Sequence, residues 1–518
     1  MSFSHVVKTN NSDRYHDYLA AGVIALYCLA YALVRILISP TMELSEAEQF
    51  LDASTFSFGY DQQSPLYSWL ARLASLVFGM NVATLTAVKY FLLFLFYFFF
   101  FLIARNFWDG KKALLITGSL LLFPTYSYET HRDLTHTILV SVMAVIMSYL
   151  YIRMVREAKT VDYMLSGIIV GLGILSKYNF VFFLIALLLS SLSSREGRRV
   201  LFDRRIVLSL LCLTAVLLPH FLWLAKENFL SVHYALDRSK AGAMASTSRL
   251  RIASIVAFSY LDLLVFLCVA GVFFRRYFYR DESRDNRLLR LFGLLAIYGL
   301  VIPLLGIFFF QAGNFTSRWL APVLFTLPLA LFSLIRMDTW RREFTLFSSL
   351  CTVIALAILI GRAFVGFFPD AAGKVEHVHI PYAALSQELT DKLRESGIDD
   401  FHDLAVITDA DRRERCLAAN ILMWMPEARF VPLGQVLIDS SLRERITERG
   451  GIFLFYDLRL GRLFSRRMLA IFPSALPPMT LHAPYLRSSR FPPYELGVII
   501  IPKRERADVK RASPPSTY

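Results

Sequence analysis

Acidic, basic and amide side chains gather in five short stretches between long apolar runs, and those stretches are where chemistry can sit. The first is Met42-Glu43-Leu44-Ser45-Glu46-Ala47-Glu48-Gln49-Phe50. Glu43 and Glu46 are three apart, so a helix sets them on one face. Like charges held together beside a bilayer favour proton uptake, the property of a general base. The same pattern also serves as an acidic first turn of an interfacial helix. The second stretch runs from Gly59 to Leu70, a turn followed by an amphipathic segment. Asp61 and Gln62 can hydrogen-bond a sugar, while Tyr67 and Trp69 also fit an interfacial aromatic belt. The third is Tyr128-Glu129-Thr130-His131-Arg132-Asp133-Leu134-Thr135-His136, in which five of nine residues are ionisable. Asp133 is a candidate acid or sugar contact and Arg132 a phosphate contact, unless the two pair with each other. The fourth holds Lys177 with the adjacent Tyr178, and Lys89 inside an apolar run is similar. A lysine kept charged among head groups needs an anionic partner; a lipid phosphate supplies one, as does an acidic side chain or snorkelling. The fifth, 314–322, presents Arg318 at the start of another apolar run.

The elements that must position these residues are membrane helices. The chain has 518 residues, is 56% hydrophobic and 19% charged, and its mean hydropathy is +0.49. Soluble chains are about 45–50% apolar and about 25% charged, so a purely soluble enzyme and a disordered scaffold are excluded. Eleven apolar runs predict about eleven transmembrane helices, near 19–39, 82–104, 113–127, 134–152, 162–176, 179–193, 206–225, 252–274, 289–310, 319–335 and 344–366. The first lacks a small-residue cleavage site and reads as a retained anchor.

The net charge is +14, yet from Phe367 onward 21 Lys and Arg face 19 Asp and Glu. The basic excess therefore belongs to the apolar part, where it signals orientation and contact with anionic membrane lipids; nucleic acid is not an expected partner. With a cytoplasmic N-terminus, the inner segments hold 22 Lys and Arg against 9 in the outer loops. That bias fits the positive-inside rule and places the tail outside. All five reactive stretches then share the outer side. Cys28, Cys212, Cys268, Cys351 and Cys416 form no CxxC pair or His/Cys cluster, so neither a disulfide framework nor a zinc site is expected.

Three regions follow: a membrane part over 1–366 with a first outer loop at 40–81 carrying interfacial helices, a soluble α/β domain over 367–502, and a charged, Pro/Ser-rich tail over 503–518 expected to be disordered. In the α/β region, amphipathic stretches at 383–396 and 411–425 alternate with β-type runs at 404–408, 451–456 and 497–501. It holds no Gly-rich phosphate loop and no nucleophile elbow, and its expected work is to cover the active face or hold an acceptor.

Carboxylates and cations on one outer face, above a path for a lipid, suit transfer from a lipid phosphate. A carboxylate takes the proton of an acceptor hydroxyl while Arg and Lys neutralise the leaving phosphate. Fixed cations make a divalent metal compatible but not required, and no metal-ligand set is expected. A lipid flippase or transporter is the reading from another class, but the paired halves of such carriers are not evident in the sequence.

The motifs, taken in order, resemble the GT-C superfamily of polyprenyl-phosphate-dependent glycosyltransferases. The pieces are Ser45-Glu46-Ala47-Glu48-Gln49, Gly59 to Leu70, Arg132-Asp133-Leu134-Thr135-His136, Gly171 to Tyr178, and Arg318-Trp319-Leu320-Ala321-Pro322. Within the superfamily the chain is similar to aminoarabinose transferases, to dolichyl-phosphate-mannose mannosyltransferases, and more tightly to rhizobial-type transferases that add galacturonic acid to lipopolysaccharide core or lipid A. The resemblance implies a multi-pass inner-membrane enzyme with a periplasmic C-terminal domain. It further implies inverting transfer from a polyprenyl-phosphate sugar to a glycolipid acceptor, with protein O-glycosylation as the alternative. Relatives commonly carry Asp-Glu-Ala in the first loop with the Asp catalytic. Ser45 stands in that place here, which shifts the expected base to Glu46 or Glu43.

Overall fold

The computed structural model describes residues 11–60, 63–229, 231–233, 249–275, 287–309, 315–335, 342–409 and 411–503. The chain sorts into two compact units. One comprises the chain up to Leu33, Phe56–Ala74 and Thr86–Ile360; the other comprises Val34–Thr55, Ser75–Leu85 and the chain from Gly361 onward. The first outer loop is thus divided, with its acidic half counted in the second unit.

In order, the first helices are α1 (Asn11–Ile38), α2 (Leu44–Ser54), α3 (Leu66–Phe78), α4 (Val82–Arg105), α5 (Gly110–Gly118), the single turn α6 (Thr130–Arg132), α7 (His136–Arg156), α8 (Thr160–Ser176), α9 (Phe180–Leu192), α10 (Arg195–Leu201) and α11 (Ile206–Lys226). Among the described residues, six helices are long and apolar enough to cross a membrane: Tyr15–Ile38, Val82–Arg105, His136–Arg156, Ile206–Lys226, Arg290–Ile307 and Arg342–Phe367. The pair α9 and α10, bent by 114°, makes a seventh if it is one span. Shorter apolar helices carry the runs near 162–176, 252–274 and 319–335. The run at 113–127 is not one helix. After α5 the backbone tightens to a 3₁₀ turn at Ser119–Leu122 and widens to a π turn at Thr125–Glu129. Pro124 stands between them, where it cannot donate to a helical ladder.

The first unit packs through rings and small residues. Along the aromatic run of α4, Phe96, Phe100 and Phe101 are buried, and Phe96 meets Tyr126 with ring centroids 4.8 Å apart. Helices α8 and α11 approach through Gly167-Ile-Ile-Val-Gly171, the small-xxx-small spacing that lets membrane helices touch backbone to backbone. The Ser166 and Ser209 hydroxyls lie 3.1 Å apart across the seam. A Cβ added at Gly167 would fall 2.0 Å from the Ser209 carbonyl oxygen, which belongs to rigid backbone. Gly167→Leu is therefore expected to destabilise the protein by at least the roughly 1–3 kcal/mol of an overpacked core. Thermal melting of the detergent-solubilised protein measures it; an unchanged melting temperature would show that the seam yields.

The second unit contains a five-stranded sheet in the order β2-β1-β3-β5-β4. Its strands are β1 (Ala405–Thr408), β2 (Arg429–Pro432), β3 (Gly451–Phe455), β4 (Met479–Ala483) and β5 (Tyr494–Ile501). β1 pairs in parallel with both β2 and β3, and β5 runs antiparallel between β3 and β4. The central strands β1 and β3 are buried along their whole length, as the apolar runs demand of strands covered on both faces. The helix Arg412–Leu422 follows β1 and packs against α2, which makes α2 a part of this unit.

Glu414 in the first turn of that helix gives the unit a pH dependence. Burial pushes its carboxyl up to about 7; the Asp409 N–H it accepts opposes this, while Asp409 and Asp411 add to it. A raised carboxyl favours its neutral form in the fold. Its contribution is full below the ordinary value of 4.5 and is lost as pH rises through about 7. Glu414→Gln is expected to flatten the melting temperature against pH across that interval. A profile as steep as the unaltered protein's would assign the dependence to another group.

Candidate active site

In the second unit, Glu43 and Glu46 occupy the two ends of a capping box. Glu43 is the N-cap of α2 and accepts the Glu46 N–H, while the Glu46 carboxylate accepts the Glu43 N–H at 2.9 Å. Their surroundings differ. Glu46 is met by Arg35 from the last turn of α1 in a bidentate pair along one guanidinium edge, Nε to Oε1 at 3.1 Å and Nη2 to Oε2, with both side chains only 3% exposed. Arg35 also donates to the carbonyls of Ser39 and Thr41 at 3.0 and 2.8 Å, and so folds the turn leading into α2. Protonating Glu46 would leave a buried guanidinium without its counter-charge. Glu43 instead has the Arg362 guanidinium 3.8 Å away, and Arg362 makes a closer pair at 2.8 Å with Glu376. Although burial pushes Glu376 up, the Lys374 and Arg362 cations hold it below its ordinary value.

Further along α2, Arg412 joins Glu48 at 2.6 Å and the Ser45 hydroxyl at 2.7 Å, and Arg415 joins Asp52 at 2.9 Å. Ser45 is therefore hydrogen-bonded to a cation from the C-terminal segment.

In the first unit, the Glu129 carboxylate gathers Arg318 directly and Arg132 at 3.9 Å. Arg132 keeps 54% of its side chain exposed. Among the described residues its ion-pair partner is Glu129, not the neighbouring Asp133. Asp133 is buried just past α6, its N–H bonded to the Glu129 carbonyl. Lys177 leaves the end of α8 in extended backbone, with its ammonium 3.0 Å from the Thr137 hydroxyl. Tyr178 shares hydrogen bonds with His220 at 3.2 Å and Ser231 at 3.0 Å. Lys89 is buried within α4, its ammonium 5.9 Å from the Tyr90 ring centroid. Tyr67 is buried with its ring 5.5 Å from that of His136, which is a packing position more than an interfacial one. Asp61 and Gln62 lie outside the described residues.

The loop before them is held to α11. The His220 ring meets the Phe58 carbonyl at 2.7 Å, and a Cβ on Gly59 would come within 2.1 Å of the Trp223 ring. A glycine is required there for close approach. His131 serves the scaffold: it bonds the hydroxyls of Tyr27 and Tyr90 at 2.7 and 3.2 Å and stacks on Tyr31 at 3.6 Å. Among the described residues, no group of three His, Cys, Asp or Glu side chains is placed to hold a metal ion.

Sequence reasoning overlooked Arg35, Arg362, Arg412 and Asn420. Arg35 and Arg362 had a readable signal, a charge inside an apolar run, which must find a partner. Nothing local marks the other two.

Within the first unit Arg132, Lys177 and Arg318 can neutralise an anion; within the second, α2 presents Glu43, Glu46 and Glu48. The model of the family described as dolichyl-phosphate-mannose-protein mannosyltransferase matches residues 62–223. The lipopolysaccharide core galacturonosyltransferase RgtB of Rhizobium johnstonii is 31% identical over 388 residues, 73% of this chain and 78% of that protein. RgtA of the same organism, also a lipopolysaccharide core galacturonosyltransferase, is 28% identical over 385 residues, 72% of this chain and 76% of that one. The fold is that of ArnT from Cupriavidus metallidurans bound to undecaprenyl phosphate, with a TM-score of 0.60 at 14% identity, covering 93% of this chain and 98% of ArnT. Likeness of that depth to RgtB across most of both sequences shows the family: this chain belongs to the GT-C superfamily and is a multi-pass membrane glycosyltransferase.

Proposed function

We propose that the protein transfers galacturonic acid from a polyprenyl-phosphate donor to lipopolysaccharide core or lipid A, with inversion, on the periplasmic face of the inner membrane. The single observation that carries the reading is the 31% identity to RgtB over three-quarters of both chains. The N-terminus is cytoplasmic in this reading and the α/β unit periplasmic, in keeping with the loop charge bias. Arg132, Lys177 and Arg318 bind the lipid phosphate, and Asp133 is assigned to the sugar. Glu43 removes the proton of the acceptor hydroxyl. That oxygen attacks the anomeric carbon, the bond from that carbon to the phosphate oxygen breaks, and the cations stabilise the departing polyprenyl phosphate. The choice of Glu43 over Glu46 rests on the buried, bidentate pairing of Glu46 with Arg35.

Mass spectrometry of core and lipid A from a strain lacking the gene tests the reading. Loss of a uronic-acid residue, restored by the unaltered gene, is the expected result. A second reading, transfer of a sugar to protein, draws on the mannosyltransferase family match over 62–223. Unchanged glycolipids together with under-glycosylated periplasmic proteins would put it in place of the first.

A further inference from the structure

Asn420, deep in the C-terminal segment, holds the residue next to the assigned base. Its side-chain amide brackets the peptide groups of Met42: the Met42 N–H donates to Oδ1 at 2.8 Å, and Nδ2 donates to the Met42 carbonyl at 3.2 Å. Asn420 has no exposed surface, and the same Nδ2 donates to the Cys416 carbonyl at 2.9 Å, so the helix Arg412–Leu422 fixes the amide's orientation. Met42 directly precedes Glu43. The turn is braced on both sides of that bracket. The Thr41 hydroxyl donates to the Ile380 carbonyl at 2.9 Å, and Arg412 grips Ser45 and Glu48 one turn into α2. All these contacts lie within the second unit.

We infer that Asn420 is a positioning residue for transfer, the means by which the α/β unit fixes the backbone that aims the Glu43 carboxylate. The contacts of Ser45, Glu46 and Glu48 do not touch the N–H or the carbonyl of Met42, which Asn420 meets together with a longer contact from the Cys416 thiol to the carbonyl at 3.9 Å. A buried amide that reads both groups fixes their direction, much as a cap fixes a helix end. Displacement of a reacting group by about 1 Å costs on the order of 10²-fold in rate, and a residue that only aims the base leaves the donor KM nearly unchanged.

The inference rests on the Glu43 reading, and the experiment separates the two. Initial rates of full-length enzyme in detergent, with polyprenyl-phosphate sugar and lipid A, are compared for Asn420→Leu, Asn420→Asp and Glu43→Gln. Asn420→Leu should lower kcat by about 10²-fold with the donor KM within about twofold. Asn420→Asp keeps the acceptor for the Met42 N–H and should recover part of the loss. If Asn420→Leu does not accumulate, Arg412→Gln, at a partly exposed side chain, provides the kcat-against-KM comparison from the other brace. A kcat within about twofold of the unaltered enzyme in the Asn420 variants, or in Arg412→Gln where they fail to accumulate, would overturn the inference if Glu43→Gln is inactive. Full activity in Glu43→Gln would overturn the base assignment itself, with the Asn420 result then reporting only on folding.

Discussion

Glu43→Gln is expected to lower sugar transfer by about 10²- to 10⁴-fold, the usual worth of a positioned general base, with donor affinity preserved. Glutamine matches glutamate in size, and its carbonyl oxygen can still accept the Glu46 N–H that completes the capping box. The first turn of α2 should therefore form as before. What is lost is the oxygen able to take a proton and the charge that faces Arg362. Arg362 keeps its closer partner Glu376, so the substitution does not strand a guanidinium. Initial rates at saturating donor give the answer, alongside donor binding measured separately. Rates equal to those of the unaltered enzyme would remove Glu43 from the mechanism and leave Asp133 as the next carboxylate to test.

How much of this was legible in the sequence depends on the distance over which the information travels. The membrane helices announce themselves as apolar runs because a bilayer demands about 20 apolar residues of a span, and the strands β1, β3 and β5 because they are covered on both faces. Strand β2 did not. It spans Arg429–Pro432 at the sheet edge, half-buried and ending in proline, with nothing to separate it from a loop. Strand β4, at the opposite edge, is equally weak in pattern. The acidic cluster of the first loop was legible as a cluster, because two glutamates three apart share a face. Their different partners were not: Arg35 lies 11 positions before Glu46, and Asn420, which holds the residue before Glu43, lies 378 positions after Met42. Spacing within a window cannot report such partners. The alternative that Arg132 pairs with its neighbour Asp133 gave way to the carboxylate of Glu129, one turn back on the same face, so proximity in sequence counted for less than helical spacing.

Arg35→Met is expected to cost about 3–5 kcal/mol of stability, since it leaves the Glu46 carboxylate buried and without its cation. Arg35→Met combined with Glu46→Leu removes both charges from the same site, and replacement of a whole buried pair by apolar side chains of similar volume is often neutral or better. The double variant should therefore recover most of the loss. A residue of about 1 kcal/mol should remain, because leucine cannot accept the Glu43 N–H. Denaturant titration of the purified protein measures these differences, and the shortfall from additivity gives the coupling of the pair. Activity then decides what Glu46 is for. Glu46→Gln keeps an oxygen for Arg35 and for the Glu43 N–H, so a structural Glu46 predicts an enzyme that is less stable yet transfers sugar at nearly its normal kcat below its melting temperature. A folded Glu46→Gln variant as inactive as Glu43→Gln would return the general base to Glu46, and Arg35 would then be the group that holds the base in place.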